Sequence, residues 1–391
     1  MHEQLTGQGA LVDMSEHRTN NFNVLRLALA SLVIVSHAPE LHDGDRHREL
    51  LTRVFGTLSF GELAVDCFFL LSGYLITQSW QRQPQVLAYL RNRVLRIFPA
   101  FAVASMVCAL IVGPLALAST SAYWSEFSVL RFVKSLVTLF PPATPPVFSG
   151  RPHPELNGAM WTIRWEFFCY VAVLATGVVA GARFKFVWTM TTVVVFSVWV
   201  AERLVHGLEP HLPYTYWEHP LWRLMSCFFA GGCFYLYRDH IAPTRRSVLL
   251  ALTILSACMF WPHAAEPALI WFGGYLLFAL AHWHLPLLAR LNNGPDLSYG
   301  IYLYGWPIQN LASAYWPQAN VWLMLPAVYV MAAGLAAASW FLIERPCLRL
   351  KQRRADCAEV AQGLSVADPD PNQALASSRR SIRAFVRTSA E

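Results

Sequence analysis

Apolar residues in this chain are gathered into blocks separated by short polar stretches. From residue 21 to residue 343, ten blocks recur that are long enough to cross about 30 Å of hydrocarbon as helices. They lie at 22–38, 60–80, 97–118, 161–182, 186–201, 221–237, 247–261, 267–281, 297–316 and 321–343. Several are short or carry Gly and Pro, so nine or eleven fit the same pattern. Such residues are tolerated in spanning helices, where neighbours re-satisfy the freed backbone groups. The expected fold is an all-α, polytopic membrane bundle of about ten transmembrane helices. It occupies residues 21–350, between an N-terminal segment, 1–20, and a tail, 351–391.

Composition narrows the picture further. Of 391 residues only 14% are charged, against ~25% in soluble domains, so an ordinary soluble protein is excluded. The 15 Trp and 24 Phe suit helix ends that meet lipid headgroups. A net charge of +6 is read by location: no basic patch on a soluble fold exists to bind nucleic acid, and the expected surroundings are lipid. Eight cysteines form no CxxC and no cluster with histidine, so neither a metal nor a disulfide framework is expected.

Lys and Arg counted in alternate loops give an orientation. With the N-terminus inside, the cytoplasmic side carries Arg18, Arg82, Arg91, Arg93, Arg96, Arg183, Lys185, Arg238, Arg245, Arg246, Arg290, Arg345, Arg349, Lys351, Arg353 and Arg354. The outer side carries Arg46, Arg48, Arg53, Arg131, Lys134, Arg151 and Arg203. This asymmetry follows the positive-inside rule, and ten spans return the C-terminus to the cytoplasm of a cell inner (plasma) membrane. The opening residues carry acids and lack a basic region before an apolar core, so no cleavable signal is expected. The tail, rich in Ala, Asp, Pro, Ser and Arg, is expected to be disordered. The longest connection, 119–160, joins an amphipathic piece, SVLRFVKSLVTLF, to a proline-dense run, and is a candidate lid or acceptor surface.

Ionisable residues inside spans mark a substrate path or an internal pair. The first span carries Arg26 and His37. Eleven residues at about 100° each return to nearly the same face, with a rise of ~16 Å. In the second span Glu62 and Asp66 share a face, four residues apart and near the depth of His37. Arg93 and Arg96, at i and i+3 on the cytoplasmic side, suit a bidentate clamp on phosphates, or else set topology. In WTIRWEFFCY, Arg164 and Glu166 point about 200° apart, and Glu166 shares a face with Tyr170. A histidine with a buried carboxylate provides what acyl transfer to a hydroxyl needs: a base and a group that orients it. Helix packing is the plainer alternative for each. A lipid-linked glycosyltransferase, with Asp43 and Asp45 as its acidic pair, and a glycan transporter are the competing functions, although the inverted repeat common in transporters is not found.

Six ordered motifs resemble acyltransferase family 3, integral-membrane enzymes that O-acylate glycans. They are LRLALASLVIVSHA, FGELAVDCFFLLSGYLIT, YLRNRVLRIFP, WTIRWEFFCY, LSYGIYLYGWP and FLIERP. The resemblance implies that His37 is catalytic and that Arg26, Arg93 and Arg96 contact acyl-CoA. Gly305 stands where the family commonly has histidine. The expected reaction moves a short acyl group, acetyl first, from cytoplasmic acyl-CoA to a hydroxyl of a cell-envelope or exported glycan. His37 and Glu166 are the expected catalytic pair, and Arg26, Asp66, Arg93, Arg96 and Arg164 the expected substrate contacts. No cofactor is permanently bound, acyl-CoA being a co-substrate, and a homo-oligomer is left open. Reporter fusions at Arg354 should read cytoplasmic and fusions within 141–154 external; an external C-terminus would overturn the ten-span count.

Overall fold

A computed structural model describes residues 20–117, 120–208, 219–283 and 289–349. The expected tail and all but the last residue of the N-terminal segment lie outside the described residues. Among the described residues every regular element is helical. The elements that position the site are α1 (Phe22–Asp43), α2 (Phe60–Arg82), α3 (Val86–Val107), α4 (Val129–Val137), α5 (Trp161–Ala180), α6 (Phe184–Leu208) and α7 (His219–Leu236). They are followed by α8 (Arg245–Cys258), α9 (Pro262–His282), α10 (Ser298–Tyr315) and α11 (Val321–Ser339).

Six described stretches are long and apolar enough to cross a membrane: Phe22–Asp43, Phe60–Arg82, Val86–Leu115, Gly158–Leu204, Pro262–His282 and Val321–Arg349. The fourth turns back on itself at Gly181 (φ 49°), between α5 and α6. Large apolar side chains such as Val179, Leu323 and Leu342 point outward at 75–85% exposure. Such a surface would be untenable in water and is what lipid solvates. The chain is a multi-pass membrane protein.

Local sequence explains where the helices begin and end. Ser59 caps α2 by accepting from the Glu62 amide at 3.2 Å, while the Glu62 carboxylate accepts from the Ser59 amide at 2.9 Å. This reciprocal pair satisfies two orphan donors. Glu62 therefore serves as a helix cap, and it also pairs with Arg46 at 2.8 Å. At the far end of α1, Gly44 takes the left-handed conformation (φ 82°) and its amide donates to the Glu40 carbonyl at 3.0 Å.

Helix–helix contact inside lipid relies on small residues that let backbones approach. Gly73 of α2 and Gly231 of α7 are such a pair. A methyl group at Gly73 would run into the Phe228 carbonyl, and one at Gly231 into the Leu70 carbonyl. Helices α1 and α10 run side by side in the same direction. Arg26 meets Asp296 just before α10 begins, Gly305 faces Ile34, Trp306 packs on His37, and His42 bonds Ser313 at 3.3 Å. Helix α11 returns antiparallel, with Tyr329 beside Ser31 (3.1 Å) and Ala336 against Gly300.

The long connection is pinned to the bundle. The predicted amphipathic piece forms α4, and the segment after it is anchored to α10. Asn157 donates to the Leu303 carbonyl at 2.8 Å, Asn310 to the His153 carbonyl at 2.9 Å, and Trp306 to the Glu155 carbonyl at 3.2 Å. Gly73→Leu should push α2 off α7 and lower the thermal-denaturation midpoint of the detergent-purified protein sharply. An equal midpoint would show that this backbone approach is not what holds the pair.

Candidate active site

The residues singled out from the sequence separate into two ends of α1 and one flank. At the arginine end, Asp296 lies between two guanidiniums: Arg26 at 2.8 Å and Arg96 at 2.6 Å from the same carboxylate oxygen. Its other oxygen accepts from the Ser298 hydroxyl at 2.5 Å, and Arg96 is also 3.8 Å from Glu344, of the FLIERP motif. Burial alone would raise the Asp296 carboxyl, but the two arginines and the serine reverse this and hold it well below the usual carboxylate range. Two cations and two carboxylates thus nearly cancel. Asp296 and Glu344 were not picked out as site residues from the sequence. The only signal was their place beside LSYGIYLYGWP and within FLIERP.

Arg93, on the same helix as Arg96, is differently placed. It donates to the Ser79 hydroxyl at 3.3 Å and lies over the rings of Tyr89 and Tyr170, at 5.6 and 5.7 Å. Tyr170 in turn donates to Glu166 at 2.6 Å, and Ser72 donates to the same oxygen at 2.8 Å. Arg26, Ser72, Glu166, Tyr299 and Tyr302 line a narrow cavity of about 50 Å³ between α1, α2, α5 and α10. Tyr302, one helical turn before Trp306, closes it by donating to the Ala159 carbonyl at 2.6 Å.

At the other end, His37 is about one-fifth exposed, and its Nδ1 is 2.9 Å from Glu40. The second Glu40 oxygen is 3.6 Å from Nε2 of His153. The ring of His37 meets Trp306 edge-on at 4.8 Å, and among the described residues Nε2 makes no hydrogen bond. A carboxylate can only accept, so Glu40 assigns the proton to Nδ1 and leaves the Nε2 lone pair available.

The carboxylate expected beside His37 was Glu166 or Asp66, and the structure places Glu40 there instead. Glu166 instead accepts from Ser72 and Tyr170. Asp66 faces α7, where it is fully buried 3.5 Å from Arg223, which also reaches Glu266 at 3.2 Å; Arg203 joins the same set through Glu266. Arg223, within WRLMSCFF, is an intramembrane charge that the sequence carries in plain view. Arg164 packs its guanidinium 4.4 Å from the Phe140 ring and does not line the cavity. Asp43 is paired with Arg48, and Asp45 caps the following turn at the His47 amide, so both are engaged in holding their loop.

The bundle thus sets a carboxylate-oriented histidine at one end of α1 and, at the other, Arg26 of α1 beside Arg96 of α3 across Asp296. A family model described as an acyltransferase domain, acyltransferase 3, matches residues 19–345, and the chain belongs to that family. It is 27% identical over 343 residues to an O-acetyl transferase of Shigella phage Sf6, covering 84% of this chain and 96% of that protein. It is 31% identical over 376 residues to nodulation protein 10 of Rhizobium leguminosarum bv. viciae, covering 90% and 98%. No solved structure matches the chain. The protein is an O-acyltransferase enzyme of the membrane.

Removing Asp296 would leave Arg26 and Arg96 facing each other without their shared anion. Breaking such a pair from one side typically costs ~3–5 kcal/mol when it is fully buried. Asp296→Asn should therefore lower the denaturation midpoint clearly, and Arg96→Gln added to it should cost less than the two single changes summed. Strict additivity would show that the three groups do not act together.

Proposed function

We propose that this enzyme transfers a short acyl group, acetyl first, from acyl-CoA entering at the arginine end to a glycan hydroxyl presented at the histidine end. In the orientation given by the loop charges, the donor comes from the cytoplasm across an inner (plasma) membrane. The observation that carries the reading is the Glu40–His37 pair, with Nε2 unengaged, on the helix whose other end holds Arg26. The rise of ~16 Å between Arg26 and His37 suits a donor whose phosphates and thioester lie at opposite ends of a long arm. The name of the phage relative, O-acetyl transferase, supports acetyl as the group moved.

The chemistry follows from that geometry. A sugar hydroxyl is too weakly acidic to attack a thioester unaided. Nε2 of His37 takes its proton as the hydroxyl oxygen bonds to the thioester carbonyl carbon, and Glu40 balances the imidazolium that forms. The carbon–sulfur bond then breaks, and the imidazolium returns the proton to sulfur, releasing CoA as a thiol and the ester on the glycan. Glu40 positions the base; it does not touch substrate. Arg26, Arg96 and Arg93 guide the donor's phosphates, and Asp296 keeps the first two oriented before the donor arrives. Glu166, with Ser72 and Tyr170, is placed to line the path of the arm.

With purified protein in lipid nanodiscs, His37→Ala should lower kcat by ~10²–10⁴-fold while acyl-CoA still binds. Glu40→Gln should lower kcat by roughly tenfold or more, with Glu40→Asp recovering part of it. Acyl transfer by His37→Ala within a few-fold of wild type would remove His37 from the chemistry.

A further inference from the structure

A carboxylate has two oxygens, and the chemistry set out above uses one of those on Glu40. Oε2 meets Nδ1 of His37 at 2.9 Å, while Oε1 faces Nε2 of His153, 3.6 Å away on the loop before α5. Both imidazoles also pack edge-on against the same indole, with the Trp306 ring centroid 4.8 Å from that of His37 and 5.6 Å from that of His153. One carboxylate and one ring therefore bring together two histidines from distant segments of the chain.

His153 is carried to that place by its backbone. It stands between Pro152 and Pro154; each proline fixes its own φ, and the second holds His153 extended. The His153 carbonyl accepts from Asn310 at 2.9 Å, the Glu155 carbonyl accepts from Trp306 at 3.2 Å, and a methyl group on Gly44, at the end of α1, would meet Pro152. These anchoring bonds are made by main-chain carbonyls, which leaves the imidazole to act on Glu40.

What that position supplies is a second donor. The Glu40 side chain is about one-fifth exposed, so a carboxylate bonded through one oxygen alone can swing its charge toward water and away from His37. A ring N–H on its other oxygen fixes the plane of the carboxylate. The distance of 3.6 Å is longer than a full hydrogen bond, and catalytic contacts of this kind often tighten when the reacting complex forms. Glu155, 3.9 Å from Nδ1 of His153, is more than half exposed, so Glu40 is the nearer and better shielded partner.

We propose that His153 is a positioning residue for the transfer: it holds the second oxygen of Glu40, so that the first stays on Nδ1 of His37 while Nε2 takes the hydroxyl proton. The proposal rests on His37 being the base, as assigned under Proposed function.

The test uses the full chain in nanodiscs and two readouts. The first needs neither donor nor acceptor: the rate at which diethyl pyrocarbonate acylates Nε2 of His37 at about pH 8, above the ordinary histidine range, followed by peptide mass spectrometry. His153→Ala should slow this reaction roughly three- to tenfold, the worth of one lost hydrogen bond, and Glu40→Gln at least as much. His153→Gln, which still carries a donor, should recover most of the rate. In a Glu40→Gln background, His153→Ala should change it by less than about twofold, because its route to His37 is already gone. The second readout is acetyl-CoA turnover, measured as thiol release, whose kcat should fall in His153→Ala by a similar factor while acetyl-CoA binds as in wild type. An unchanged His37 rate in His153→Ala overturns the inference, leaving the side chain at most a contact for the acceptor. A loss of the same size with Glu40 already replaced overturns it too, and makes His153 a support of the loop. If His37→Ala turns over acetyl-CoA at the wild-type rate, the base assignment has failed, whatever the first readout shows of the coupling.

Discussion

The architecture depends on a rule of charge pairing inside a medium that cannot solvate charge. An arginine in a spanning helix needs partners supplied by other parts of the chain, and Asp296 serves two, from α1 and α3, just before α10 begins. That one carboxylate ties together three segments far apart in sequence, and Glu344 adds the segment after α11. The same requirement recurs on the flank, where Asp66, Arg223, Glu266 and Arg203 join α2, α7, α9 and α6. Hydrophobic burial gives little direction inside lipid, so these ionic sets and the close glycine contacts specify which helices become neighbours.

That pairing also determines what the site can do. The parallel course of α1 and α10 brings Trp306 onto His37 and carries the anchored loop, with His153, up to Glu40. His37 is thereby oriented by a carboxylate one turn away on its own helix and packed by a ring from α10. Between the two ends, Glu166 is held by two hydroxyls in a narrow cavity. Gly305 matters to this alignment. Its missing side chain lets α10 close on Ile34, where a Cβ would come within 2.8 Å, and Gln309 donates to the Ile34 carbonyl at 2.7 Å. The position where the family commonly has a histidine is here a backbone contact.

Much of this was legible in the sequence, for identifiable reasons. Blocks of apolar residues can only be buried helices in lipid, so the all-helical membrane bundle followed from their lengths. The period of the α-helix placed Arg26 and His37 on one face of one segment, and the i, i+3 spacing placed Arg93 beside Arg96. Glu40, three residues from His37 on the same helix, was equally legible from its spacing.

Pairings between segments were decided by the tertiary structure alone. Periodicity reports a residue's direction around its own axis and says nothing about which helix lies there. It therefore could not say that Asp66 faces Arg223, that Glu166 sits beside Ser72, or that Arg164 packs on Phe140 outside the cavity. Nor could it place His153, because a proline-rich loop has no period and its course is set by bonds to α10. The sequence by itself determined the helices, the lipid they require and the ionisable residues they carry, because these follow from local composition and a fixed rise per residue. The tertiary structure decided which charge of one segment answers which of another, because those outcomes depend on helix contacts between residues up to 298 positions apart.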